Sequence, residues 1–381
     1  MAAAVGQGIF RDGYAHYASH GRREGRNPAW VAMSGRTTRH CLDPWNYLEI
    51  TPALGLKPCC NIKSLASWSA AGEDPGSQRN SRPFRELRME LLSGNLREAC
   101  RRCHIRPRVA VEVLETEVAR LVGGAADTGA PLRSLRVELT TKCNLRCVYC
   151  LVSHPLYEGR HMGPDGMAAV RDLVARERSI EEILLNGHGE STFHPEWMSF
   201  FRDMALSGRP LSIISNLARP LSREQAGCLA LCKLIQVSLD TVDPRLLSQL
   251  RRRVKLENVT QNIARVREEA DRRRLARPTF TLSCGIFDHS APGLADLARF
   301  AVEQGMASVT FWPLVEHPEL TSGIRVRAIP ELAPLAIRQA IESLNAASDI
   351  LRKAGIGVEI AGNFIEDWGR RLDDPDCGDS R

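Results

Sequence analysis

From about residue 131 the chain alternates between two hydrophobic periods. Short apolar runs predict strands at Leu135–Leu139, Ile183–Asn186, Leu211–Ser215, Leu234–Ser238, Thr279–Ile286 and Ser308–Leu314. Between them, apolar residues recur at helical spacing over Met167–Arg178, Glu196–Ser207, Arg223–Cys232, Leu256–Arg273 and Pro292–Gly305. Six strand–helix units within residues 131–320 predict a parallel sheet with right-handed crossovers. The span is too short for a closed eight-fold barrel. The expected fold is therefore α/β, a partial (β/α)6 barrel, with its chemistry at the carboxyl ends of the strands.

The flanks carry other patterns. Residues 1–34 are rich in Gly and Arg, with Tyr14, His16, Tyr17 and His20 at no period, and predict an arm with little core. Residues 35–104 form a cysteine-rich α+β segment. It has a short hairpin (Tyr47–Ile50 and the run from Gly55), a Pro/Gly/Ser-rich loop near 70–82, and a helix starting at Phe84. Residues 105–130 predict a helical connector over Val109–Leu121, broken at Gly123, Gly124 and Gly129. Residues 321–381 predict a long helix, Leu332–Lys353, then an acidic tail holding Cys377.

Composition narrows the class. Of 381 residues, 43% are hydrophobic and 25% charged, as in soluble globular proteins, and no apolar run approaches membrane-spanning length. The first residues lack the basic and apolar stretches of a secretory signal, which sets the expectation of a cytoplasmic protein. Twelve cysteines then point to metal ligation rather than disulfides. The net charge of +6 is mild; the runs Arg251–Arg253 and Arg272–Arg274 lie in helix-like sequence and read as solvated faces. With 6% aromatic residues there is no interleaved basic and aromatic face, which argues against nucleic acid. Phosphate-loop, HExxH and GxSxG patterns are absent.

The sharpest chemical signal is Cys143-Asn-Leu-Arg-Cys147-Val-Tyr-Cys150, entered from the strand-like run Leu135-Arg-Val-Glu-Leu-Thr140. One loop can aim these three thiols at one centre. Thiolates select Fe–S clusters, zinc or Cu(I), and a structural zinc site would fill four positions. A [4Fe–4S] cluster on three cysteines keeps one iron open. This CX3CX2C loop resembles that of the radical SAM superfamily. Downstream, Asn186-Gly-His-Gly-Glu190 resembles the family's turn for the methionine amino group, with Gly187, Gly189 and Glu190 in the matching places. Ser215, Asn216, Ser238 and Asp240 fall at strand ends where the family contacts ribose. Arg251 stands where the carboxylate-pairing arginine is expected, with Arg252 as competitor, and Tyr149 resembles the aromatic packed near adenine. Phe311 and Trp312 are further aromatic candidates, equally readable as core, whereas Cys228, Cys232 and Cys284 read as core.

A second cysteine set precedes the core. The pieces Cys41-Leu-Asp-Pro-Trp45, Pro58-Cys59-Cys60 and Cys100-Arg-Arg-Cys103 resemble a SPASM or twitch auxiliary-cluster domain, which in the family usually follows the core. Cys41, one of Cys59 and Cys60, Cys100 and Cys103 would make a four-thiol site, for a second [4Fe–4S] cluster or for zinc.

The resemblance implies a [4Fe–4S] cluster and S-adenosylmethionine as cofactors, and reductive cleavage to a 5′-deoxyadenosyl radical. That radical takes hydrogen from a peptide or a carbohydrate-like metabolite, with an auxiliary cluster aiding net oxidation or C–X bond formation. Its implied partners are the small-molecule or peptide substrate and a one-electron reductant such as flavodoxin or ferredoxin. The alternatives are a sugar or aminocyclitol dehydrogenase or epimerase, and a non-catalytic Fe–S or zinc module. No residue is singled out as the catalytic one.

Overall fold

The computed structural model describes residues 36–69, 75–103, 105–123, 126–314, 317, 320, 323–361 and 368–369. The arm at 1–34, part of the loop near 70–82, and Cys377 lie outside the described residues. In chain order the strands are β1 (Thr37–Arg39), β2 (Tyr47–Ile50), β3 (Gly55–Lys57), β4 (Ala66–Ser67), β5 (Arg108–Ala110), β6 (Ser134–Val137), β7 (Arg146–Cys147), β8 (Glu182–Leu185), β9 (Leu211–Ser215), β10 (Leu234–Ser238), β11 (Arg251–Arg252), β12 (Thr279–Ile286), β13 (Ser308–Pro313) and β14 (Gly357–Ile360). The longer helices are α1 (Arg82–Ser93), α2 (Val111–Val122), α3 (Pro164–Arg176), α4 (Trp197–Leu206), α5 (Arg223–Leu229), α6 (Pro244–Leu250), α7 (Leu256–Arg272), α8 (Leu294–Glu303) and α9 (Pro334–Lys353).

One sheet organises the chain. Its order is β14-β13-β12-β10-β9-β8-β6-β2-β3-β4, and the steps from β14 through β2 are parallel. Among the described residues the two edges, β14 and β4, do not pair with each other, so the barrel stays partial. The six predicted strands are all present, but the sheet gains a parallel strand at each side. β14 docks on β13 after the long helix. β2 docks on β6, with Leu48 opposite Leu135 and Ile50 opposite Val137.

The second addition joins the cysteine-rich segment to the main sheet. The cysteine-rich segment does not stand off as its own sheet: its hairpin continues the main one. The reason is that Leu48, Ile50 and Leu56 are apolar residues that bury in the main core, while only Trp45, Ile62, Leu87, Leu91, Leu92, Leu114, Val118 and Ala130 close a smaller second core. β1 and β5 pair antiparallel beside that smaller core.

The strands alternate with period two. One face is fully buried under α3, α4, α5, α7, α8 and α9, through Leu135, Ile183, Ile213, Val237 and their neighbours. The opposite face is half-buried in β6, β8, β9 and β10 and carries Arg136, Leu184, Ile214 and Gln236. An open concave face results. Among the described residues no helix is long and apolar enough to cross a membrane.

Candidate functional site

The cysteine loop leaves β6 at the carboxyl edge of the sheet. Thr140 turns the chain: its Oγ1 accepts the Lys142 N–H at 2.9 Å and donates to the Arg160 carbonyl at 3.1 Å. Cys143, Cys147 and Cys150 follow, all partly buried. Burial pushes the Cys143 and Cys147 thiols up to about 12 and raises Cys150 as well. Buried thiols of this kind stay protonated until a cationic centre takes them as thiolates. Cys143 opens onto a cavity of about 550 Å³ walled by Thr141, Asn144, Phe193 and Ala218.

The glycine turn closes over this loop. The Glu190 N–H donates to the Lys142 carbonyl at 3.0 Å. A Cβ on Gly189 would overlap the Lys142 and Thr140 carbonyl oxygens, and one on Gly187 would overlap the Glu138 side chain. These glycines are therefore required for space rather than for backbone freedom. Gly189→Ala is expected to destabilise the protein by about 1–3 kcal/mol through overpacking and to lower iron uptake. Gly163→Ala, whose Cβ would meet nothing within 4 Å, serves as the control in urea denaturation and iron assays.

Glu190 is buried and already served by donors. Its Oε1 accepts from Thr192 N, Thr192 Oγ1 and Ser215 Oγ at 3.2, 2.8 and 3.0 Å, and its Oε2 from Asn216 N at 2.9 Å. Burial raises its carboxyl above the usual range while these donors pull it down. Glu190, Ser215 and Asn216, predicted separately, thus form one cluster. Asn216 Nδ2 reaches Asn144 in the cysteine loop at 3.0 Å. The backbone beyond β9 is clamped by Asn262 of α7, whose amide meets the carbonyls of Leu217 and Arg219 and the Leu221 N–H.

A second cluster joins Tyr149, Asp240 and Arg251. Arg251 donates from Nε to Asp240 Oδ2 at 2.7 Å and from Nη2 to Oδ1 at 3.1 Å. The Tyr149 hydroxyl donates to Oδ2, and Gly285 N–H to Oδ1 at 2.9 Å. The two contacts expected separately thus meet in one cluster, with the Asp240 carboxylate accepting from Arg251, Tyr149 and Gly285. Arg251 is tied to the cysteine loop, since β11 pairs with β7 and places Arg251 opposite Cys147. Arg252 sits opposite Arg146 and remains half-buried. Ser238 ends β10 in register with Ser283.

The concave face holds residues that sequence reasoning passed over. Lys57 Nζ meets Glu49 Oε1 at 2.7 Å, the Tyr47 hydroxyl donates to Glu49 Oε2 at 3.2 Å, and Arg136 Nη1 stands 3.8 Å from Glu49 Oε2. Glu138 accepts the His188 N–H, and burial raises its carboxyl. Burial, then the nearby Lys57 cation, lowers the His188 imidazole below its ordinary value. The signal was available: Glu49, Arg136, Glu138 and Gln236 are polar residues at alternate positions of otherwise apolar strands.

The other cysteine set lines a cavity of about 800 Å³, with Cys41, Cys59, Cys60, Cys100 and Cys103 at one end and Arg136, Ile214, Gln236 and Trp312 along the sheet. Trp312 is thus a wall residue and Phe311 core. Cys41, Cys59 and Cys100 pack against the second core, whereas Cys60 is exposed. Burial raises Cys41 well above its usual value, Cys59 to about 12 and Cys100 to about 11. Cys228, Cys232 and Cys284 are buried in the main core, as expected. Among the described residues no three Cys, His, Asp or Glu side chains close on a single metal ion.

Residues 137–300 match the family model described as the Radical SAM superfamily. The chain is 31% identical over 183 residues to a GTP 3′,8-cyclase of Streptomyces coelicolor, covering 46% of this chain and 51% of that protein. It is 32% identical over 85 residues to the tungsten-containing aldehyde ferredoxin oxidoreductase cofactor-modifying protein of Pyrococcus furiosus, 22% of this chain and 24% of that one. The chain spans about half the length of the cyclase it matches. Among solved structures, Streptococcus suis SuiB bound to precursor peptide SuiA aligns with a TM-score of 0.49 at 16% identity, over 69% of this chain and 56% of that one. Residues 137–300 are thus similar to the radical SAM domain, a family whose cofactors are a [4Fe–4S] cluster and S-adenosylmethionine. The donor set fits them: three partly buried soft ligands on one loop, a glycine turn with no room for a Cβ, and a cavity beside Cys143.

Proposed function

We propose that residues 137–300 are a radical SAM domain and make this protein a radical SAM enzyme that takes a hydrogen atom from a peptide or a carbohydrate-like metabolite. The observation that carries the reading is the placement of two cysteine sets about one open, polar sheet face. One set lies in the loop at the carboxyl end of β6. The other lines the 800 Å³ cavity that runs along β6, β8, β9 and β10. That volume is in the range of small-molecule sites.

Cys143, Cys147 and Cys150 would hold the cluster. The chemistry it supplies when bound is one-electron cleavage of S-adenosylmethionine to methionine and a 5′-deoxyadenosyl radical. The chain's own residues bind and orient. Glu190 Oε2 has a single protein donor, which leaves it one lone pair for the methionine ammonium. Arg251 uses two N–H groups on Asp240 and keeps others for the carboxylate. Ser215, Asn216 and Ser238, at the strand ends, would meet the ribose, and Tyr149 would pack near the adenine. For the auxiliary site we favour Cys41, Cys59, Cys100 and Cys103 as ligands of a second [4Fe–4S] cluster able to accept the substrate electron, since Cys59, like Cys41 and Cys100, packs against the second core while Cys60 is exposed.

The names of the curated relatives favour a second reading, a nucleotide substrate such as GTP. The test is anaerobic reconstitution with iron and sulfide, then S-adenosylmethionine and dithionite, reading 5′-deoxyadenosine against panels of peptides, sugars and nucleotides. A peptide or sugar that accelerates its formation supports the first reading, and GTP the second. A reconstituted protein that never forms it is a non-catalytic module.

A further inference from the structure

Past Val137 and Leu185, the last paired residues of β6 and β8, the two chains keep bonding for a short way. Glu182 N–H donates to the Arg133 carbonyl and Asn186 N–H to the Val137 carbonyl, each at 3.2 Å. The same offset would next bring His188 N–H to the Leu139 carbonyl, but that oxygen already accepts Met162 N–H at 2.8 Å. The ladder then slips: Glu190 N–H meets the carbonyl of Lys142, not that of Thr141. At the gap a side chain takes over. Glu138 Oε1 accepts His188 N–H at 2.5 Å, and among the described residues this is the carboxylate's one hydrogen bond. Glu138 is 2% exposed, its own N–H is held by the Ile50 carbonyl at 2.9 Å, and the cations Lys57 and Arg136 are engaged by Glu49. Gly187 lies flat on this carboxyl group: a Cβ there would stand 2.2 Å from Glu138 Cγ and 2.3 Å from Oε1.

A backbone N–H left without an acceptor is costly, so a turn that lost this bond would move to find another. Residues 187–189 include two glycines, which give the turn little steric definition of its own. Its shape therefore depends on the bonds made at Asn186, His188 and Glu190, and only the middle one is accepted by a side chain. β6 ends at Val137, so the sheet itself makes no use of the Glu138 carboxylate. We propose that Glu138 is a positioning residue for S-adenosylmethionine. By holding His188 N–H it sets the peptide planes of residues 187–190, and so the place where the methionine ammonium would meet the turn and Glu190. Glu138 acts through the turn and does not itself touch the ligand. The inference rests on the radical SAM reading, which supplies the ligand.

The test compares the full chain with Glu138→Gln, whose amide oxygen can still accept the bond, and with Glu138→Met, similar in volume but without that oxygen. Amide hydrogen exchange at His188, resolved by mass spectrometry on the metal-free protein, reads the bond itself. It is expected to be about tenfold faster in Glu138→Met and unchanged in Glu138→Gln. Equilibrium dialysis of the reconstituted proteins then reads the ligand. S-adenosylmethionine should bind about tenfold more weakly to Glu138→Met and as in wild type to Glu138→Gln, with KM rising and kcat held. Methylthioadenosine, which lacks the methionine ammonium and carboxylate, should bind all three alike, which separates positioning from a general loss of fold. A His188 amide that exchanges freely in the wild type overturns the proposal even if Glu138→Met does not fold. So does Glu138→Gln binding S-adenosylmethionine as weakly as Glu138→Met, or methylthioadenosine weakened in step with it. A wild-type chain with a protected His188 amide that binds neither iron nor S-adenosylmethionine overturns the radical SAM reading, and the positioning role with it.

Discussion

Replacing Cys143, Cys147 and Cys150 together with alanine is expected to remove about four of about eight irons from the reconstituted protein, two [4Fe–4S] clusters being the full complement. It should also abolish 5′-deoxyadenosine formation. The size of the effect follows from the loop. The three thiols are partly buried, and burial holds all of them protonated without a metal. Iron and acid-labile sulfide analysis checks the number, and the charge-transfer absorbance of the remaining cluster checks its type. About four irons in wild type falling to none, with one zinc retained, would make the auxiliary thiols a structural zinc site and remove the electron acceptor. The same assay on Cys59→Ser and Cys60→Ser decides the remaining ligand: the first should lose the auxiliary iron and the second keep it.

Asp240→Asn is expected to cost about 3–5 kcal/mol, the usual consequence of leaving one partner of a buried pair without its counter-charge. Asp240 is 2% exposed and Arg251 8%. Asparagine keeps the shape but turns one oxygen into an NH2 group. That group must face either Arg251 Nε and the Tyr149 hydroxyl, or Arg251 Nη2 and the Gly285 N–H, all of them donors. Tyr149→Phe removes one hydrogen bond and should cost only about 1 kcal/mol. Urea denaturation of the metal-free protein measures both, free of any effect on iron. A loss for Asp240→Asn no larger than that for Tyr149→Phe would mean that the pair is open to water. It would point Asp240 to the ribose-contacting role that its position at the end of β10 implies.

Local chemistry was legible in the sequence. The periods of two and 3.6 located six strands and most of the helices, because each element must cover its own apolar face wherever it docks. Helix α6 was missed, since seven residues starting at a proline carry too little period to read. The spacing of Cys143, Cys147 and Cys150 marked a candidate ligand set because a loop of eight residues leaves little freedom in where its thiols point. Glu190 and Arg251 were legible as positions but not as contacts. Whether a carboxylate faces a ligand or the neighbouring strand depends on donors 25 residues away in sequence, such as Ser215, and periodicity within one element carries no information about them.

The tertiary structure alone decided where β2 and β14 go. Tyr47–Ile50 reads as a hairpin strand in any context, and only the match of Leu48 and Ile50 to Leu135 and Val137 places it on β6 and brings the second cysteine set onto the same open face. It also decided that Asp240 and Arg251, predicted for two different ligand groups, first neutralise each other. A charge buried in a sheet takes the nearest opposite charge, and distance through space, not along the chain, determines which one that is.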